Sequence, residues 1–165
     1  MAFGKLSLKG RAVRYLSQRE YSRAELVRKL HPHAEDQPEA SAAAQISQAL
    51  DELAENGLLS DERAAASVLA SQAARSGQRR LQQLLQTKGL DPALVARTLA
   101  QAKGSEFERA SALWQRRFGS LAAQPAERAR QMRFLQARGF GFDVIARVMR
   151  GAGQRAVDDE WEPTD

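Results

Sequence analysis

The strongest constraint on the fold is a segment that recurs within the chain at an offset of 50 residues. Residues 79–102 contain two amphipathic helical runs separated by Gly89, and residues 130–149 repeat this arrangement around Gly139. In both copies apolar side chains recur three and four residues apart, which is the period of a helix with one buried face. A glycine in the left-handed conformation is suited to ending the first helix of each copy. The repetition therefore predicts a duplicated helical unit.

A third copy is indicated near the N-terminus. Ser22 and Glu25 have the spacing of a capping box, in which each side chain reaches the other residue's backbone N–H. Leu26 and Leu30 take the places of two leucines in the middle copy. Residues 31–41, which contain two prolines, are predicted to form a loop insertion after this helix.

The chain is therefore predicted to be all-α, with nine helices in three tandem three-helix repeats that form an elongated, curved array. The repeats are assigned to residues 1–59, 60–103 and 104–150, and residues 151–165 are predicted to be an acidic, disordered tail. Thin helical repeats bury their apolar faces against their neighbours. No segment has the alternating pattern of a β-strand.

The net charge is +5, from 25 basic and 20 acidic residues, and it is unevenly distributed. The last eight residues contain five acids and no base, so residues 1–157 carry 25 bases and 15 acids, a net charge of +10. Twenty of the bases are arginine, whose planar guanidinium suits phosphates and carboxylates. Such an excess predicts an anionic partner, either nucleic acid or an acidic protein groove.

Nine arginines are the candidate contact residues, and they are predicted to lie along one surface. A surface of this kind suits a long groove or a filament better than a compact ligand. The nine are Arg75, Arg79, Arg80, Arg116, Arg117, Arg128, Arg130, Arg133 and Arg138.

The sequence offers little material for catalysis or for metal binding. Cysteine is absent, and the two histidines, His31 and His33, lie in a proline-containing loop that makes a poor metal site. Metalloprotease and phosphate-loop motifs are absent, and Asp61 and Glu62 are interpreted as acids that complement a helix N-terminus. We therefore predict no catalytic residue, no metal and no cofactor.

No apolar run has the length of a signal peptide or of a membrane span. The expectation is a cytoplasmic protein with no membrane contact, which acts as a monomer.

Residues 138–142, RGFGF, match the start of the aromatic strand signature of RNA-recognition motifs. That signature functions on a sheet that displays its rings to bases, whereas helical runs flank it here. The glycines are therefore interpreted as a break between two helices, with Phe140 and Phe142 packed inward. Inward positions are also predicted for Val13 in the first helix and Leu58 after the third.

Four segments together resemble the RecX regulatory family, over roughly residues 8–150. They occur in the family's order: RYLSQREYSRAEL at 14–26, LDELAENGLLSDERAA at 50–65, GQRRL at 77–81 and QMRFLQARGFGFDVIARV at 131–148. One departure is Ala64, where the family usually has an aromatic residue.

The resemblance implies a bacterial cytosolic regulator without enzymatic activity, built from tandem three-helix repeats. Members of the family bind the RecA recombinase filament within its helical groove and inhibit its ATPase, strand-exchange and coprotease activities. The resemblance thus implies a role in homologous recombination, DNA repair and the SOS response. It supplies no catalytic residues and no sharply defined binding motif.

Two further hypotheses stay open. The protein could bind DNA directly through helix-turn-helix units, with Arg79, Gln82, Gln83 and Gln86 presented to bases; contact with single- or double-stranded DNA that is only nonspecific would instead be auxiliary. The acidic residues 158–165 could fold over the basic surface and screen it, or could simply be a solubilising end.

Overall fold

The structure, a computed structural model, describes residues 6–102 and 104–160, with side chains described up to Gln154. Over this part of the chain it contains nine α-helices and two short 3-10 helices and no β-strand, so the all-α prediction is confirmed. The α-helices are α1 (Leu8–Leu16), α2 (Arg23–Leu30), α3 (Ala42–Glu55), α4 (Asp61–Gln72), α5 (Gln78–Thr87), α6 (Pro92–Ala100), α7 (Glu106–Phe118), α8 (Pro125–Gln136) and α9 (Phe142–Glu160).

Short polar side chains determine where several helices begin. The Ser22 hydroxyl accepts a hydrogen bond from the Glu25 N–H, and the Glu25 carboxylate accepts one from the Ser22 N–H, so the predicted capping box is present at α2. Ser105 and Glu108 form the same box at α7. Asp91 accepts hydrogen bonds from two backbone N–H groups in the first turn of α6.

The described chain divides into two compact units, each with its own core. The first unit contains the described residues up to Ser67 together with Leu85–Arg97. Within it, the Arg28 guanidinium donates to the Thr87 carbonyl at 3.1 Å and so ties α2 to the end of α5. Its main core cluster consists of Ala12, Tyr21, Leu26, Leu30, Ile46, Leu50, Leu53 and Leu59.

The second unit contains Val68–Leu84 and the described residues from Thr98 onward. The Gly77 N–H donates to the Arg138 carbonyl at 2.8 Å, and the Arg79 N–H donates to the Gly139 carbonyl at 3.3 Å. These bonds hold the start of α5 against the turn between α8 and α9. The core cluster consists of Ala110, Trp114, Leu135, Phe140, Val144, Ile145, Val148 and Ala152.

The boundaries of the two units fall within α4, α5 and α6, so each of these helices contributes residues to both units. The repeat boundaries at residues 59/60 and 103/104 remain a prediction from the sequence period.

Three apolar side chains predicted to face inward are instead exposed: Val13, Leu58 and Phe142. In each case a near neighbour occupies the buried position. Ala12 is buried in α1, Leu59 packs after the third helix, and Phe140 enters the core of the second unit. Phe142 is the first residue of α9 and is 71% exposed.

The last helix is longer than the sequence indicated. The tail was predicted to be disordered from Gly151, but the backbone is helical to Glu160. Ala152 is 5% exposed and belongs to the core of the second unit, so packing continues beyond the predicted end. Residues 161–165 and the side chains from residue 155 lie outside the described part of the chain, and the screening hypothesis for residues 158–165 concerns those side chains.

Candidate anion-binding surface of the second unit

Positive charge is concentrated in the second unit. Its described side chains include 12 bases and four acids, whereas those of the first unit include 10 bases and 11 acids. Residues 155–165, whose side chains are not described, add one base and five acids by sequence, and bases still outnumber acids. All nine candidate arginines belong to the second unit. The excess of bases over acids that was counted along the sequence therefore belongs to the second unit.

The first unit also has more salt bridges between described side chains than the second unit has. Five salt bridges join described side chains of the first unit. Two of them converge on Glu25, which lies 3.1 Å from Arg19 and 2.9 Å from Lys88. Among the described side chains of the second unit, the salt bridge is a long contact of 3.5 Å between Arg130 and Glu127, both well exposed. Most guanidinium groups described in the second unit therefore have no acidic partner among the described side chains.

The four acids whose side chains are described in the second unit all lie in the first turns of helices. The Glu106 carboxylate accepts hydrogen bonds from the backbone N–H groups of Gln78, at 2.9 Å, and Gly141, at 3.4 Å. Glu108 caps α7, and Asp143 lies in the first turn of α9. Carboxylates in these places stabilise the positive ends of helices, and no salt bridge joins these three to a described arginine.

Three of the nine arginines line one pocket together with an aromatic side chain. A pocket of about 510 Å³, here called the basic pocket, is lined by Leu113, Arg116, Arg117, Phe134 and Arg138. The Arg138 guanidinium lies 3.8 Å from the centre of the Phe134 ring and donates to the Phe134 carbonyl at 3.3 Å. These contacts hold the cation in place without removing its charge.

Arg75, Arg79 and Arg80 lie on elements that contact those of the basic pocket. Arg75 ends the 3-10 helix Ala73–Arg75, which packs against α7, the helix that carries Arg116. Arg79 and Arg80 begin α5 beside the turn that follows Arg138, and both are exposed.

The three arginines on α8 are not drawn into this cluster. Arg128 donates to the carbonyls of Ala122, at 2.6 Å, and Ala123, at 3.1 Å, and so holds the loop before α8. Arg130 contacts Glu127, and Arg133 is exposed on the helix surface. Local roles thus account for two of the three, and the assignment of all nine as contact residues stays a prediction.

Comparison with known proteins gives the family. Residues 105–149 match the third three-helix domain of RecX. Over 158 residues, 96% of this chain and 95% of the relative, the sequence is 48% identical to the regulatory protein RecX of Ralstonia nicotianae. The chain belongs to the RecX family. The regulatory protein RecX of Leptothrix cholodnii is also 48% identical, over 145 residues that cover 88% of each chain.

Solved RecX structures have the same fold. The crystal structure of RecX from Lactobacillus salivarius matches with a TM-score of 0.70 at 19% identity, and the match covers 89% of this chain and 95% of that one. A second crystal structure of regulatory protein RecX gives 0.65 at 24% identity, with 86% and 70% covered. The resemblance read from the four sequence segments is confirmed, and membership supports a RecX regulatory role.

Two residues of this RecX chain gained importance only from the structure. Phe134 precedes Arg138 by four residues, and this spacing is the sequence signal for a stacked pair. Arg109 was not singled out, although it precedes the half-buried Leu113 by one helical turn. The structure buries Arg109 to 9% exposure.

The described part of the chain contains neither a candidate metal cluster nor a candidate membrane span. The described residues contain no group of three or more His, Cys, Asp or Glu that is placed to hold a metal ion. His31 and His33 are exposed in the 3-10 helix after α2. Over the described part of the chain, no helix combines the length and apolar character that crossing a bilayer requires.

Proposed function

We propose that this RecX-family protein binds the RecA–DNA filament within its helical groove and inhibits the ATPase, strand-exchange and coprotease activities of RecA. The action is by occupancy of the filament and involves no catalytic residue. The observation that carries the proposal is the uncompensated charge of the second unit, with 12 bases and four acids among its described side chains. A filament built on DNA is long and anionic, so it attracts such a surface.

The geometry of the basic pocket supports this role. Arg138 is held against Phe134, which limits the side-chain freedom that an arginine would lose on binding. Arg116 and Arg117 project beside it at the end of α7. Guanidinium groups in this arrangement can pair with phosphates or with carboxylates of the filament.

The direct test is RecA-catalysed ATP hydrolysis on single-stranded DNA. The protein, added below equimolar amounts, should lower the rate of hydrolysis, and filaments seen by electron microscopy should become shorter. Unchanged hydrolysis, strand exchange and filament length would refute the proposal.

Direct DNA binding through a helix-turn-helix unit is the second candidate. It is favoured by α5, on which Arg79, Gln82, Gln83 and Gln86 are all exposed. Donor-bearing side chains on an exposed helix are what base reading requires. Binding that discriminates between duplex sequences at moderate salt would favour this candidate, whereas binding that is independent of sequence and falls steeply with salt indicates auxiliary phosphate contact.

A further inference from the structure

The second unit contains a larger pocket beside the basic pocket. It has a volume of about 720 Å³, and we call it the Arg109 pocket. Its walls are mainly small and apolar, with Arg109 within and Arg116 at the boundary with the basic pocket. The apolar lining includes Leu69, Ala70, Ala73, Ala74, Ala102 and Ala112. This size lies in the range of ligand-binding pockets, which are largely apolar with a few placed polar groups.

The polar group here is a buried arginine with an unused edge. Arg109 is 9% exposed, and its Nη1 donates to the Gly104 carbonyl at 3.0 Å. Its Nε and Nη2 are buried and have no hydrogen-bond partner among the described residues. A buried charged donor without a hydrogen-bond partner lowers the stability of the fold, so its presence indicates a role other than stability.

The two unused atoms are chemically informative. Nε–H and the adjacent Nη2–H lie on the same edge of the guanidinium and form the two-pronged donor that a carboxylate accepts with both of its oxygens. The bond from Nη1 to Gly104 fixes the plane of this fork. Glu108, which also lines the pocket, is already used to cap α7 and does not satisfy the fork.

The apolar walls of the pocket favour an anionic group that is attached to an apolar neighbour. A phosphodiester pressed against alanine and leucine would lose its hydration and gain a single fork in return. A carboxylate flanked by an apolar side chain would satisfy both the fork and the walls. An acidic peptide segment therefore fits the pocket better than a nucleic acid does.

We propose that the Arg109 pocket receives an acidic residue of the protein partner, with a neighbouring apolar side chain against the alanine wall. The inference rests on the proposed function, since the partner in question is RecA. Both unused N–H groups are shielded from water in the free protein. The acidic residue therefore enters by displacing an exposed side chain at the edge of the pocket, and the long, exposed ones in the lining are Gln101, Glu108 and Arg116.

The test compares inhibition of RecA ATP hydrolysis by four variants. Arg109→Met removes the charge and the fork and should raise the concentration needed for half inhibition about 10- to 100-fold. Arg109→Lys keeps the charge but not the planar fork and should not restore inhibition. Ala112→Leu narrows the pocket from an exposed helix position and should weaken inhibition similarly. Arg150→Met is the matched control: it removes the same charge from an exposed site on α9 and should change inhibition less than about twofold.

Folding is checked by thermal unfolding. Arg109→Met should leave the midpoint unchanged or raise it, because it removes a buried cation without an acidic partner. If Arg109→Met fails to fold, the inhibition of RecA by Ala112→Leu becomes the deciding measurement, because that variant leaves Arg109 intact.

The outcomes separate the inference from the proposed function. Full inhibition by Arg109→Met and Ala112→Leu, with wild-type inhibition intact, would overturn the inference alone. Absence of inhibition by the wild type would overturn both. A tenfold loss of binding to free single-stranded DNA in Arg109→Met would show that the pocket takes phosphate, which also overturns the inference.

Discussion

Glu25 joins three parts of the first unit through one carboxylate. It accepts a hydrogen bond from the Ser22 N–H at 2.8 Å, and it pairs with Arg19 at 3.1 Å and with Lys88 at 2.9 Å. Burial raises the pKa of Glu25, but the hydrogen bonds from Ser22, Lys88 and Arg19 outweigh it, so the pKa lies below its usual value of 4.5.

Replacing Glu25 with Gln should lower the free energy of unfolding by about 1–2 kcal/mol at neutral pH, because a cap and two ion pairs are weakened. The folded-state pKa is depressed, so the contribution of the charge is present above about pH 4.5 and is lost as the pH falls through the folded pKa. Urea denaturation at about pH 7 and about pH 3 measures the difference. Glu52→Gln, which breaks an exposed pair with Lys9, should have a much smaller effect. If the loss in free energy of unfolding caused by Glu25→Gln is the same at both pH values, the electrostatic explanation is contradicted.

Arg138 should contribute one anion contact. Arg138→Gln is expected to reduce the slope of log affinity against log salt concentration for single-stranded DNA by about 0.7, the value for one phosphate contact. Fluorescence anisotropy of a labelled oligonucleotide over a salt series measures it. The control is Arg63→Gln, because Arg63 already pairs with Glu20 at 2.9 Å in the first unit. Equal changes in slope for both variants would argue against a localised surface.

Caps and buried leucines could be predicted from the sequence, because they depend on neighbours within one or two helical turns. Ser22, Glu25 and Leu26 are such cases. The inward assignment of Val13 and Phe142 was wrong, because the helical period defines a face only to within about one residue. The role of Arg128 was not predictable, since its partners are carbonyls of a loop.

At the scale of elements, two glycines allow the start of α5 to lie against the turn before α9. A Cβ on Gly77 would lie 2.3 Å from the Gly139 carbonyl oxygen. Gly139 has a φ of +82°, and a Cβ there would lie 2.6 Å from the Cβ of Arg80. Glycine is therefore required on both sides of the contact.

Gly77→Ala should destabilise the second unit by about 1–3 kcal/mol, because the backbone of residues 139–140 must move to admit a methyl group. Gly151→Ala is the matched control within α9. A Cβ at Gly151 meets no atom within 4 Å, so the change should stabilise the helix by about 0.5–1 kcal/mol. Chemical denaturation measures both, and equal effects of the two substitutions would contradict the close approach.

The starts of the helices were predictable, but the end of the last one was not. Gly151 and Gly153 favour an early end by propensity, yet Ala152 packs in the core of the second unit and a Cβ on Gly153 would lie 3.5 Å from Leu121. Tertiary contacts of this kind are not visible in a local pattern.

At the scale of the whole molecule, the sequence gives the total charge but not its division. The excess of bases could be counted along the chain, and a partner of opposite charge could be predicted from it. The assignment of the whole described excess to one unit depends on which helices pack together, and that required the structure.

We propose that the arginine-rich second unit is the part of the protein that holds the filament. The most direct measurement is the dissociation constant for a RecA filament on single-stranded DNA, compared between two triple variants that remove equal charge. One carries Arg116→Gln, Arg117→Gln and Arg138→Gln in the second unit, and the other carries Arg11→Gln, Arg14→Gln and Arg97→Gln in the first. We predict that the second-unit variant binds about tenfold or more weakly and that the first-unit variant changes less than about twofold. Equal weakening in the two variants, or no weakening in the second-unit variant, would contradict the account.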